Sequence, residues 1–270
     1  MNFNFELILF YATLVTGIIV LMDVIWFAPV RHRKNSALKA KSITASQMKL
    51  PLVIDYSRSF FPILLLVFLL RSFLYEPFRI PSGSLEPTLL IGDLILVNKF
   101  DYGVRLPIMH KMIYPLGNPQ RGDILIFRWP PNPSFDFIKR VIGVPGDHIS
   151  YLNKTVYING NKMPQQFIAY ANTENESGGE SKVEEREEDL MGIKHKIYVD
   201  PSRSSVDYKD IVVPAGMYFV MGDNRDDSAD SRYFGFVPDS HIVGKAVAIW
   251  MSWDSKQHNV RWNRLAKVVH

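Results

Sequence analysis

The chain has no cysteine among its 270 residues, so it has no disulfide framework and no thiolate metal site. Its seven histidines (His32, His110, His148, His195, His241, His258 and His270) show no His-x-x-x-His or comparable metal-ligand spacing. From about residue 76 onward there is no long apolar run and no sustained 3.6-residue periodicity, which argues against further membrane helices and against a helical bundle there. Acidic residues are almost missing from residues 31–58. That stretch carries Arg31, Arg33, Lys34, Lys39, Lys41, Lys49 and Arg58 against a single Asp55.

The apolar residues, 47% of the chain, are unevenly spread. Leu7 to Met22 contains no charge, and with Trp26, Phe27 and Ala28 beyond the lone Asp23 it reaches the roughly 20 residues that span a bilayer. A cleavable leader is disfavoured here, because the segment lacks a basic start and an Ala-x-Ala ending. A second run, Phe60 to Leu70, extends from Tyr56 to Tyr75 with Arg58 and Arg71 near its ends. Pro62 is expected in its first turn, where a helix tolerates proline. The basic stretch between two apolar runs reads as a cytoplasmic loop under the positive-inside rule and not as a nucleic-acid site. The expected organisation is an N-terminal tail (1–6), a first transmembrane helix (7–28), a basic cytoplasmic loop (29–58), a second transmembrane helix (59–75) and an extracytoplasmic domain (76–270).

In that last domain, short β-rich runs separated by turn residues predict a mostly antiparallel β fold: 94–97, 124–127, 137–144, 155–158, 211–213, 217–221 and 242–250. Asn159-Gly160 is a type I′ hairpin signal. Residues 172–189 carry eight acidic side chains against Lys182 and Arg186, with Gly178-Gly179 inside, and are expected as a solvated, mobile insertion.

Three clusters bear on chemistry. Pro81-Ser82-Gly83-Ser84 follows the second apolar run; by itself it reads as a turn or as the seat of a nucleophile. A serine nucleophile needs a base. On a strand through 136–142, Phe137, Lys139 and Val141 share one face and Ile138, Arg140 and Ile142 the other, so Lys139 has apolar neighbours that would favour its neutral amine. The alternative is a lysine that snorkels to water. The third cluster, Gly222 to Arg232, fails as an EF-hand loop: counted from Asp223, the sixth and twelfth positions hold Ser228 and Phe234. It reads as a salt-bridged scaffold or as a loop orienting a catalytic group. Two other functions stay open at this point, a hydrolase with a histidine base and an inactive membrane-tethered β domain that binds exported proteins.

Together the boxes 81–89, 121–124, 139–147 and 222–232, following two apolar runs with a basic loop between, resemble bacterial type I signal peptidases, membrane-bound serine endopeptidases with a Ser-Lys dyad. The resemblance implies Ser84 as nucleophile, Lys139 as general base, Ser228 as the residue orienting the lysine, and Ser82 with the Ser84 backbone N–H as the oxyanion hole. It implies Asp230 and Arg232 as a structural ion pair near the site. Phe78, Ile80, Pro81, Leu85, Leu89, Ile126, Phe137 and Ile138 match positions lining shallow apolar pockets that admit small residues. The expected activity is removal of signal peptides after Ala-x-Ala, without metal or cofactor. The expected location is the bacterial inner membrane with the catalytic domain on the periplasmic side. The partners implied are exported preproteins, membrane lipids and the translocation machinery, and no nucleic acid. Leu85 and Glu86 stand where methionines are frequent in the family. Leu85 preserves the volume, whereas Glu86 bears on substrate approach.

Overall fold

A computed structural model describes residues 5–33, 50–174 and 179–269 of the chain. It divides into two compact units, residues 1–74 with 107–109, and the remaining residues 75–106 and 110–270.

The first unit contains two helices long and apolar enough, by length and composition, to cross a membrane, Phe5–Arg33 and Leu52–Phe73. The first extends past both expected limits, whereas the second begins earlier than expected and ends at Phe73, with Tyr75 opening a strand. The first continues through a π-helical turn, Asp23–Phe27, and the second begins before residue 59, because Leu52, Val53 and Ile54 are as compatible with a helix as the apolar run itself. Pro62 therefore lies ten residues inside the second helix and not in its first turn; in an apolar surround, neighbouring residues can take up the backbone group it frees. Of the expected basic loop, residues 34–49 lie outside the described residues, and the rest is helical apart from Leu50 and Pro51.

Within this unit the Asp23 carboxylate is fully buried and pairs with Arg31 and Arg58 at 2.6 Å each, so one acid from the first helix compensates a base from each helix. Gly17 meets the ring of Phe61, where a Cβ would approach to 2.8 Å; a small residue allows the helices to pack this closely.

The second unit is a mostly antiparallel β domain. Its main sheet runs in the order Tyr75–Arg79, Asp93–Asn98, Ile242–Asp254, Ile124–Arg128, Asp136–Gly143, Met217–Met221, Val237–Pro238. The expected β-rich runs all fall within or across strands, because alternating branched and aromatic residues suit a pleated, half-buried surface. Asn159 and Gly160 both have positive φ, at 52° and 79°, and turn the strand Thr155–Ile158 into Asn161–Lys162, as the I′ signal requires.

The acidic stretch departs from expectation. Gln165–Glu174, Glu180–Leu190 and Ile193–Val199 form a three-stranded sheet, with the acidic strand in the middle; residues 175–178 lie outside the described residues. Its charges are compensated across the sheet and beyond it: Lys196 pairs with Glu185 at 2.6 Å, Lys194 with Glu187 at 3.0 Å, and Arg225 with the buried Glu188. Val183 and Leu190 supply its buried apolar contacts.

Candidate active site

Ser84 is delivered by a tight turn. Ser82 is extended (φ −132°, ψ 158°), and a 3₁₀ turn over Gly83–Leu85 follows at once. The turn is anchored on both sides. Ile80 N–H donates to the Asp93 carbonyl at 2.8 Å, and Leu89 N–H donates to the Leu85 carbonyl at 3.0 Å. Leu85 and Leu89 are fully buried beneath it, so apolar burial fixes the direction in which Ser84 points.

Lys139 arrives from the strand Asp136–Gly143, in register with Leu125 of Ile124–Arg128. A hydrogen bond of 2.6 Å joins its Nζ to Ser84 Oγ, and both side chains are buried (Lys139 4% and Ser84 5% exposed). The Nζ also lies 5.5 Å from the centroid of the Phe137 ring on the same face. A serine hydroxyl held against a buried amine is the pairing of nucleophile and base that covalent catalysis requires.

The third cluster closes over this pair. Asn224 N–H donates to the Ser84 carbonyl at 3.1 Å, and Asn224 Nδ2 donates to the Gly83 carbonyl at 3.3 Å. Gly222 lies so close that a Cβ there would stand 2.4 Å from the Ser84 carbonyl oxygen and 2.3 Å from Ser228 Oγ. Only glycine allows that approach. Asp230 accepts from Gly222 N–H at 3.0 Å and from Arg232 at 2.8 Å, as expected of an ion pair bracing the loop. Ser228 is buried beside the site, but its Oγ has no hydrogen-bond partner, so it makes no such bond to Lys139 in this arrangement. Ser82 is partly exposed at the head of the 3₁₀ turn, and its hydroxyl does not cap that turn.

The residues expected to line the pockets separate into two groups. Ile80, Leu85, Leu89 and Ile126 form one buried cluster, with Phe78 and Ile138 packed against it. Phe137 packs instead with Phe127, Val141 and Phe234, because it lies on the other face of its strand from Ile138. Pro81 is exposed.

A second buried network, not singled out by the sequence, backs the loop. Arg140, fully buried, makes two 2.8 Å bonds to Asp223, which also accepts from Thr88. Burial alone would raise the Asp223 carboxyl, but the charge and hydrogen bonds of Arg140 outweigh it and hold the group below the usual carboxylate range. Glu188 is held low in the same way by Arg225. His195 stands 3.5 Å from Glu188 and 3.9 Å from Asp223; burial, followed by the charge of Arg140, pushes it down to about 4. The sequence held one hint of this network: Arg140 occupies an otherwise apolar strand face, and a buried guanidinium demands a carboxylate. Among the described residues no group of three or more histidine, aspartate or glutamate side chains could hold a metal ion.

Comparison with known proteins shows the family. The family described as "Signal peptidase, peptidase S26" matches residues 53–253. A signal peptidase I from Pseudomonas aeruginosa is 42% identical, covering 100% of both chains, and one from Pseudomonas fluorescens is 44% identical over 94% of each. A solved signal peptidase I from Enterococcus faecalis V583 is 30% identical, covering 48% of this chain and 97% of that one, with a TM-score of 0.30, too low to bear on the fold.

Proposed function

The chain belongs to the signal peptidase family, peptidase S26, as a membrane-anchored serine protease that acts on preproteins carrying signal peptides, and we propose that Ser84 is its nucleophile and Lys139 its general base. The observation that carries this reading is the buried 2.6 Å contact between Lys139 Nζ and Ser84 Oγ. Burial disfavours an ammonium, which is the direction a general base requires. It takes the Ser84 proton as Oγ attacks the scissile carbonyl. The Ser84 N–H and the Ser82 hydroxyl stabilise the oxyanion. The protonated lysine then gives its proton to the departing amine, and the same amine activates the water that releases the acyl group. No step calls on a metal or cofactor.

Specificity for Ala-x-Ala is supported by the cluster around Ile80, Leu85, Leu89 and Ile126, with Phe78 and Ile138 at its margin. Phe78 and Ile138, only partly buried at its edge, offer a shallow apolar surface of the kind that accepts small side chains and rejects large ones by clash. The basic residues Arg31, Arg33, Lys34, Lys39, Lys41 and Lys49 support a cytoplasmic loop, hence a bacterial inner-membrane location with residues after 75 on the periplasmic side. Membrane lipids and the translocation machinery are the accompanying partners. The test is cleavage of an Ala-x-Ala precursor by purified variants: Ser84→Ala and Lys139→Ala each lose at least about 10³-fold in kcat/KM. Substantial cleavage by Lys139→Ala, with loss on changing a histidine instead, would replace this reading with a histidine base.

A further inference from the structure

The lysine face of the strand Asp136–Gly143 continues into an aromatic stack that the sequence motifs do not include. Register pairs Leu125 with Lys139 and Phe127 with Phe137, and alternation places Trp129 next on the same face. The Trp129 ring lies parallel to Phe137, with centroids 5.1 Å apart and planes within 5°. Phe127 and Phe234 close on Phe137 from other sides, at 6.4 and 6.2 Å. Phe137 is thus held on several sides while its own ring sits 5.5 Å from Lys139 Nζ.

Trp129 pays for this position with an unmade hydrogen bond. Its indole N–H is buried without a partner, although buried tryptophans usually find one. The residue is seated by the turn that follows it, where Trp129 N–H donates to the Phe135 carbonyl at 2.8 Å and Asn132 N–H donates to the Trp129 carbonyl at 3.0 Å.

We propose that Trp129 is a positioning residue for the reaction, clamping Phe137 over Lys139 so that water is kept from the amine and its neutral form persists. This rests on the reading of Lys139 as the base. Two effects of the Phe137 ring oppose each other. A cation–π contact favours the ammonium, whereas burial away from water favours the neutral amine. In this proposal exclusion of water prevails, so that loosening the ring favours the ammonium.

The charged groups on the surrounding elements are Asp136 on the same strand with Arg128 in register opposite it, Arg140 with Asp223, and Asp230 with Arg232. Substituting Trp129 removes none of these charges. The experiment is the pH dependence of kcat/KM for an Ala-x-Ala precursor, measured on the full-length protein in detergent for wild type, Trp129→Ala, Trp129→Phe and Lys139→Ala. Trp129→Ala moves the acid limb up by about one pH unit, giving about tenfold lower activity on that limb and recovery at high pH, with kcat changing more than KM. Trp129→Phe, which keeps a ring and removes the orphan donor, restores the wild-type limb and also serves if the alanine variant does not fold. An unmoved limb in Trp129→Ala, a loss equal at every pH, or a displaced limb in Trp129→Phe overturns the proposal while Lys139→Ala stays inactive. Activity in Lys139→Ala overturns instead the base reading on which it stands.

Discussion

Adjacent residues on the strand Asp136–Gly143 put two buried basic side chains on opposite faces, and their surroundings differ in kind. Lys139 meets a hydroxyl at 2.6 Å and the ring of Phe137, with Leu125, Phe127 and Val141 on the same face. Arg140 meets the Asp223 carboxylate through two bonds of 2.8 Å, in a network that includes Thr88, His195, Glu188 and Arg225. A guanidinium is charged at every working pH and must be compensated where it is buried. A lysine amine can give up its proton, so an apolar wall tunes it. The arginine face holds the loop 222–232 in place, and the lysine face carries the proposed dyad.

The comparison breaks most severely where the arginine face loses its counter-charge. Asp223→Ala leaves Arg140 buried and uncompensated, which costs about 3–5 kcal/mol of stability and also frees the loop that holds the Ser84 carbonyl; denaturant unfolding and precursor cleavage should both register it. A loss within about 1 kcal/mol would mean that the pair is not a structural anchor.

A smaller effect comes from His195 on the same face. Its folded-state value of about 4 lies below the unfolded value near 6.5, so the unfolded chain binds a proton first as the pH falls. Both forms are neutral above pH 6.5, stability declines from there to about pH 4, and the total loss is about 3 kcal/mol. His195→Gln should flatten that acid slope in pH-dependent unfolding; an unchanged slope would assign it to other groups.

The smallest effect is expected where an ion pair is exposed. Lys196 and Glu185 lie 2.6 Å apart, but the lysine side chain is 56% exposed, so a double-mutant cycle should return less than about 1 kcal/mol. A larger coupling would show that cross-strand pairs govern the acidic strand, where buried Val183, Glu188 and Leu190 are expected to dominate.

What the sequence revealed follows from how local each signal is. Strands with alternating apolar residues and the Asn159-Gly160 turn were legible, because two-residue periodicity and positive φ are local requirements. The strand Glu180–Leu190 was not, since the partners of Glu185, Glu187 and Glu188, namely Lys196, Lys194 and Arg225, lie on other elements. Ser84 and Lys139 stood out as motifs, and their 2.6 Å contact needed the fold to bring residues 55 positions apart together. Phe137 was grouped with Ile138, although alternation alone puts them on opposite faces. The Arg140–Asp223 pair, 83 positions apart, was visible only as a charge lacking a local partner.

The central claim, a Ser84 nucleophile activated by Lys139, is tested most directly by acid-quenching the full-length enzyme during turnover of a slowly deacylated Ala-x-Ala substrate and mapping the acyl adduct by mass spectrometry. The adduct should sit on Ser84 in the wild type and fail to accumulate in Lys139→Ala. An adduct on another residue, or one forming on Ser84 at an undiminished rate without Lys139, would contradict the account.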